Sequence, residues 1–198
     1  MSGSDVTPVL YFIRHGQTDW NAAGRMQGQS DIALNDTGRA QALRNGNTLA
    51  ALLETPQNFD FVASPMGRTV ETMEIVRTTL GLEPTDFRTD KRLLEIRFGR
   101  FEGLTFDEMA EQMPEAHARR ERNKWLNRPP QGESYSDLAA RIEEWYLELD
   151  RDTICVSHSG VSRVLRGVLL KLPPAEIVVL EVPQDKVLRI KAGEITWL

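Results

Sequence analysis

Three short apolar runs in this chain each end on residues that do chemistry, and a helix-forming stretch follows each of them. Val9-Leu10-Tyr11-Phe12-Ile13 leads into Arg14-His15-Gly16. Phe59-Asp60-Phe61-Val62-Ala63 leads into Ser64-Pro65 and Arg68. Asp152 to Ser157 leads into His158-Ser159-Gly160. Continuous apolar runs of this length suit strands covered on both faces. Helices are predicted over Thr37 to Leu53 (inner positions Ala40, Leu43, Leu49, Leu52 and Leu53), Arg68 to Leu80 before Gly81, Ser136 to Leu149, and Ser159 to Leu170 before Pro173-Pro174. The inner face of Ser136 to Leu149 is read as Leu138, Ile142, Trp145, Tyr146 and Leu149. Ile177 to Val182 is a fourth candidate strand, and Lys186 to Leu198 reads as a hairpin around Ala192-Gly193-Glu194. Such alternation predicts an α/β fold, a three-layer sandwich with a mainly parallel central sheet and helices on both faces.

Residues of about 104–131 interrupt the alternation. Thr105-Phe106-Asp107-Glu108 matches a helix capping box, and a charged stretch runs on to Arg128-Pro129-Pro130-Gln131-Gly132. The expectation is one domain over 1–198 with a small helical cap inserted over the site.

In an open parallel sheet, ligands bind beyond the carboxyl ends of the strands. Two arginines and two of the chain's three histidines fall at such ends. Arginine forks match phosphate oxygens. Gly16 and Gly160 would let backbone N–H groups approach an anion, and the helix opening at Ser159 would point its positive end at one. Together these describe a phosphate pocket. A histidine among arginines is pushed towards its neutral form, in which it is a nucleophile able to carry a covalent phosphoryl group. Fixed positive charge from Arg14 and Arg68 argues against a metal ion between His15 and His158.

The formal net charge is −5, which argues against general nucleic-acid binding but not against a local cationic pocket. No apolar run approaches the ~20 residues of a membrane span. The polar start, Met1 to Thr7, has no signal-like pattern, so a cytoplasmic location is expected. Cys155, the one cysteine, sits in an apolar run and is read as a buried, inert thiol. His117 is read as a surface residue. The basic run Arg119 to Lys124 is read as a solvated helix face, with a basic lid as the alternative. Trp20 is a candidate for the pocket mouth.

The ordered motifs resemble the histidine phosphatase superfamily, the phosphoglycerate mutase-like group. They are Ile13-Arg14-His15-Gly16-Gln17-Thr18-Asp19-Trp20-Asn21, then Arg25 to Asn35, Gly38 and Gln41-Ala42. Ser64-Pro65-Met66-Gly67-Arg68 and Glu71-Thr72 follow, then Leu94-Glu95, Phe98-Gly99, Phe101-Glu102-Gly103, Gly132-Glu133-Ser134 and Ser157-His158-Ser159-Gly160. Gln17 departs from a common Glu, and Arg97 from a frequent His.

The resemblance implies His15 as the phosphorylated nucleophile, with Arg14, Arg68 and His158 binding the phosphoryl group and Glu95 as proton donor. It assigns Asn21 to a further phosphate contact and places Thr18, Gln27, Gly28 and Ser159 among the substrate-binding residues. It implies no metal and no organic cofactor. The expected activity is a histidine acid-type phosphomonoesterase, a phosphatase acting on small phosphorylated metabolites through phosphohistidine. The alternative is a cofactor-dependent phosphoglycerate mutase, for which Arg119-Arg120 speaks and the shortness of the insertion speaks against. The expected partner is a small phosphorylated substrate, with no nucleic acid and no membrane. Oligomeric state stays open, a homodimer through an edge strand being one option.

Overall fold

The computed structural model describes residues 7–198, so most of the polar start read as Met1 to Thr7 lies outside the described residues. Among the described residues, six strands form one sheet: β1 (Leu10–Arg14), β2 (Asp60–Ala63), β3 (Arg88–Thr89), β4 (Thr153–Ser157), β5 (Val187–Lys191) and β6 (Glu194–Trp197). Their spatial order is β3-β2-β4-β1-β5-β6. The four strands from β3 to β1 are parallel, and the β5–β6 hairpin is added antiparallel to β1. The three strands with chemistry at their ends are thus direct neighbours.

Among the described residues, eight α-helices accompany them: α1 (Asp19–Ala22), α2 (Asp36–Leu52), α3 (Gly67–Thr79), α4 (Phe106–Gln112), α5 (Pro114–Arg122), α6 (Tyr135–Leu147), α7 (Ser159–Leu169) and α8 (Pro174–Ile177). No described helix is long and apolar enough to cross a membrane. The sheet divides the core in two by alternation of side chains along each strand. Leu10, Phe12, Val62, Cys155, Leu188 and Ile190 face α6 and α7, and Met109 of α4 joins the same cluster. Tyr11, Ile13, Phe61, Ala63, Ile154 and Val156 face α2 and α3 with Leu49, Met73 and Val76. Cys155 lies fully buried, and burial pushes its thiol well above the ordinary value, as an inert thiol requires.

Two expectations are corrected. Ile177 to Val182 is not a strand: Pro173 and Pro174 open the one-turn helix α8, Val179 projects to solvent at 66% exposure, and the following chain runs without regular structure to β5. Proline fits the first helical turn because its missing N–H has no partner to lose there. In α2, the inner face is made of Gly38, Ala42, Asn45, Gly46 and Leu49, whereas Leu43 and Leu52 are about half exposed. Small residues are needed inside because α2 and α3 touch closely. A Cβ on Gly46 would lie 2.8 Å from Thr79 Cβ. In α6, Leu138, Ile142 and Trp145 are buried as expected, and Tyr146 and Leu149 pack at the margin.

Residues 104–131 carry α4 and α5. Thr105 caps α4 with the expected reciprocal Glu108 contacts. Arg25, in the β1–α2 connection, bonds Glu108 of α4 at 2.6 Å and the Gly103 carbonyl at 2.6 Å.

Candidate active site

His15 follows β1, and its backbone N–H still bonds the Ser157 carbonyl of β4 at 2.9 Å. The ring is 3% exposed. Its Nδ1 lies 2.7 Å from the Gly16 carbonyl oxygen, an acceptor only, so Nδ1 carries the proton. Nε2 is then the unprotonated nitrogen, and Arg68 Nε donates to it at 3.3 Å. Burial above all, with the Arg68 and Arg14 charges, holds the imidazole well below its ordinary pKa.

His158, the N-cap of α7, meets His15 edge-on at 5.1 Å between ring centres. Arg68 Nη2 lies 3.4 Å from its Nδ1, which must accept, since a guanidinium only donates. The Nε2–H therefore donates to Ser64 Oγ at 2.8 Å. Burial and the Arg68 charge hold this imidazole neutral too. Arg68 is fully buried at the start of α3 and also donates to the Gly28 carbonyl at 2.7 Å and the Ser30 carbonyl at 2.8 Å. Arg14 donates to the Val182 carbonyl at 2.8 Å, and its Nε is buried with no partner among the described residues. Burial pushes the Arg14 guanidinium down to about 10, which still leaves it charged at neutral pH.

Glu95 is 6% exposed and reaches the same cluster, close enough for its charge to act on Arg14 and Arg68. Its carboxyl accepts from the Gly160 N–H at 3.1 Å, the Ser159 hydroxyl at 3.1 Å and the Ile96 N–H at 2.9 Å. This corrects two expectations. The positive end of α7 holds Glu95 in place of an external anion. The Gly160 N–H is used there, and the Gly16 N–H is used on Thr72 Oγ1 at 3.2 Å. Gly16 is needed for a different close approach: a Cβ there would lie 2.2 Å from the Gly38 carbonyl oxygen.

The remaining expected residues form a support layer. Thr18 is fully buried and caps α1, and its hydroxyl donates to Gln27 Oε1 at 2.9 Å. Gln27 Nε2 is buried without a partner among the described residues. Gly28 has φ +55° and offers its carbonyl to Arg68. The Asn21 side chain sits at the other end of the Thr18 cap. Trp20 is half-buried, with its ring over Gly103, where an added Cβ would meet it at 3.2 Å. His117 is not a free surface residue: its ring packs edge-on against Phe106 at 4.4 Å, with Nε2 buried. The basic run divides. Arg120 is 5% exposed and stacks over Phe98, whereas Arg119 and Arg122 face solvent.

Several supporting residues were given no role from the sequence. Gln29 Nε2 and Arg141 Nη2 both donate to the Glu95 carbonyl, at 3.0 and 3.2 Å. Glu102 accepts from the Gln29 and Phe98 N–H groups, both at 3.1 Å, and from Ser30 Oγ at 2.7 Å. Gln184 Nε2 reaches the His15 carbonyl at 3.0 Å. These groups come from distant parts of the chain, and only the fold brings them together.

The arrangement can hold a phosphoryl group against a neutral imidazole among cations, with a carboxyl nearby. The chain is similar to several known proteins. The model of the histidine phosphatase superfamily (branch 1) matches residues 10–197. A glucosyl-3-phosphoglycerate phosphatase of Mycobacterium tuberculosis is 36% identical over 180 residues, covering 84% of this chain and 77% of the relative. A 6-phosphofructo-2-kinase/fructose-2,6-bisphosphatase of Gallus gallus is 32% identical over 96% of this chain, which spans only 39% of that relative's length. The solved structure of Bacillus stearothermophilus YhfR superposes with a TM-score of 0.80 at 29% identity, over 96% of this chain and 95% of that one. The native mycobacterial glucosyl-3-phosphoglycerate phosphatase gives 0.77 at 30% identity, over 92% and 89%. The chain belongs to the histidine phosphatase superfamily, branch 1.

Proposed function

We propose that this protein is a phosphatase that hydrolyses phosphate monoesters of small metabolites through a phosphohistidine on His15. The observation that carries the proposal is the state of His15. Its Nδ1 proton is fixed on the Gly16 carbonyl, and its Nε2 lone pair faces the Arg68 guanidinium. A phosphate monoester entering there meets Arg14, Arg68 and His158. Nε2 attacks phosphorus in line as the ester P–O bond breaks. The leaving oxygen takes a proton from the Glu95 carboxyl, which costs less than expelling a bare alkoxide. Water then attacks the phosphohistidine, Glu95 takes its proton, and inorganic phosphate leaves. The arginines hold the charge on the transferring group throughout, with little rearrangement.

Asn21 adds a donor at the rim. Thr18, Gln27, Gly28 and Ser159 act through the groups they hold: Gly28 through Arg68, Ser159 through Glu95, and Thr18 with Gln27 through the α1 cap. Residues 104–131 form a cap on a single domain. The isomerase alternative drew on Arg119-Arg120, but Arg120 is buried on Phe98 and does not join Arg119 on one surface.

The test is a paired assay on purified protein with His15→Ala as control. Phosphate release is followed from a panel that includes glucosyl-3-phosphoglycerate, α-ribazole phosphate and fructose 2,6-bisphosphate, chosen from the names of the relatives and solved neighbours. Conversion of 3- to 2-phosphoglycerate is followed in parallel. Release that disappears with His15 supports the proposal. Rapid isomerisation with little release refutes it.

A further inference from the structure

The chain between α8 and β5 has no regular structure, yet it is tightly held. Three successive carbonyls, of Leu180, Glu181 and Val182, each accept from an arginine: Arg163 at 2.7 Å, Arg166 at 2.6 Å and Arg14 at 2.8 Å. The Gln184 carbonyl accepts from Asn45 Nδ2 at 3.0 Å. This strap delivers the half-buried Gln184 side chain to the nucleophile loop. There Nε2 donates to the His15 carbonyl at 3.0 Å and to Asn21 Oδ1 at 3.3 Å.

Both amide orientations are dictated by their partners. The His15 carbonyl can only accept, so the Gln184 end facing it is the NH2 group. The Thr18 N–H can only donate, and it lies 3.2 Å from Asn21 Oδ1, so that end of Asn21 is the oxygen. Two donors therefore occupy Asn21 Oδ1, and Asn21 Nδ2 donates to no described residue. Without Gln184, Oδ1 would keep only the bond from Thr18, and the amide would be freer to turn.

We infer that Gln184 is a positioning residue: it locks the Asn21 amide with its two N–H donors towards the phosphoryl group, and it fixes the His15 backbone to the strap. The inference rests on the proposed phosphoryl site. Gln184 itself need not touch the substrate. Its side chain can donate because it is an amide, so a carboxylate at 184 would face two acceptor oxygens and repel both.

The test uses the full chain with p-nitrophenyl phosphate for turnover and inorganic phosphate for binding by calorimetry. Gln184→Leu should lower kcat/KM by about 10-fold and weaken phosphate binding by a similar factor in the wild-type background. With Asn21→Ala already in place, the same substitution should cost less than about 2-fold, because coupled residues are not additive. Gln184→Glu should be impaired at neutral pH and recover in part as pH falls through the carboxylate range, since its one O–H can serve one of the two acceptors, whereas Gln184→Leu should not recover. A general structural role would give equal losses in both backgrounds and no selective recovery, and either result overturns the inference. His15-dependent turnover with additive losses removes only the role of Gln184. Absence of both turnover and phosphate binding in the wild type removes the phosphoryl site, and the inference with it.

Discussion

Gly160→Ala displaces a proposed catalytic group while leaving every one of them in the chain. Gly160 is the second residue of α7, and its N–H binds the Glu95 carboxyl. A Cβ at this position would lie 2.3 Å from Glu95 Oε1, with Ile96 Cγ2 and Leu138 Cδ2 both at 3.2 Å. Ordinary contact begins near 3.4 Å. The two apolar neighbours have little room to give, so the carboxyl must retreat by about 1 Å. Misplacement on this scale costs on the order of 10²-fold in rate. Proton donation itself is worth roughly 10²–10⁴-fold when the leaving group needs it. Hydrolysis of an alkyl phosphate such as glycerol 3-phosphate should therefore fall by about 10²-fold. p-Nitrophenyl phosphate releases a stable phenolate without a proton and should lose less than about 10-fold. The fold should survive. Alanine's helix preference, up to ~1 kcal/mol, offsets part of an overpacking cost of ~1–3 kcal/mol. A net ~1–2 kcal/mol corresponds to a fall in Tm of about 2–8 °C. Steady-state kinetics on both esters decide the matter. Equal losses on the two, with a native-like Tm, would refute Glu95 as the proton donor.

Three further outcomes are expected. Arg68→Lys should lower kcat/KM by at least ~10²-fold, because an ammonium cannot bond His15, Gly28 and Ser30 while holding a phosphoryl group; kinetics with a preserved circular-dichroism spectrum check this. The pH dependence of stability should carry the mark of two buried neutral histidines. His15 and His158 have folded pKa values below their unfolded value of ~6.5, so the unfolded chain binds the extra protons and stability falls as pH drops through and below ~6.5. The slope approaches about 2.7 kcal/mol per pH unit for the pair. Urea unfolding between pH 8 and 5 measures it, and His15→Asn should reduce it by about half. Glu102→Ala should cost ~1–3 kcal/mol, because the carboxylate accepts from two backbone N–H groups and Ser30, and alanine leaves all three without it; chemical denaturation checks it.

Much of this was legible in the sequence. Alternation of apolar runs with helices predicted the parallel sheet, the arginines and histidines at or just beyond the run ends predicted where chemistry gathers, and β1, β2 and β4 are indeed neighbours. The helix of Ser136 to Leu149 followed from its apolar stripe. What failed did so for identifiable physical reasons. In α2, large apolar residues were assigned to the core, but close helix contact selected Gly46 and Ala42 and left Leu43 outside. Ile177 to Val182 has a strand's composition, but flanking prolines and three arginines that bind its carbonyl end give it another backbone path. At the site, glycine was read as freedom for a ligand. At Gly16 and Gly160 the close neighbours are Gly38 and Glu95 of the same chain. Gln184 and Arg141 were invisible, and Gln29 stood in a motif without a role, because nothing local marks a side chain whose partners lie far away in sequence.

The most direct test is to quench the protein within milliseconds of mixing it with a phosphate monoester, under conditions that preserve phosphohistidine, and to map the modification by mass spectrometry. One phosphoryl group on His15, formed before phosphate is released and missing in His15→Ala, is the predicted result. Turnover with no phosphorylated protein, or with the phosphoryl group on another residue, would contradict it.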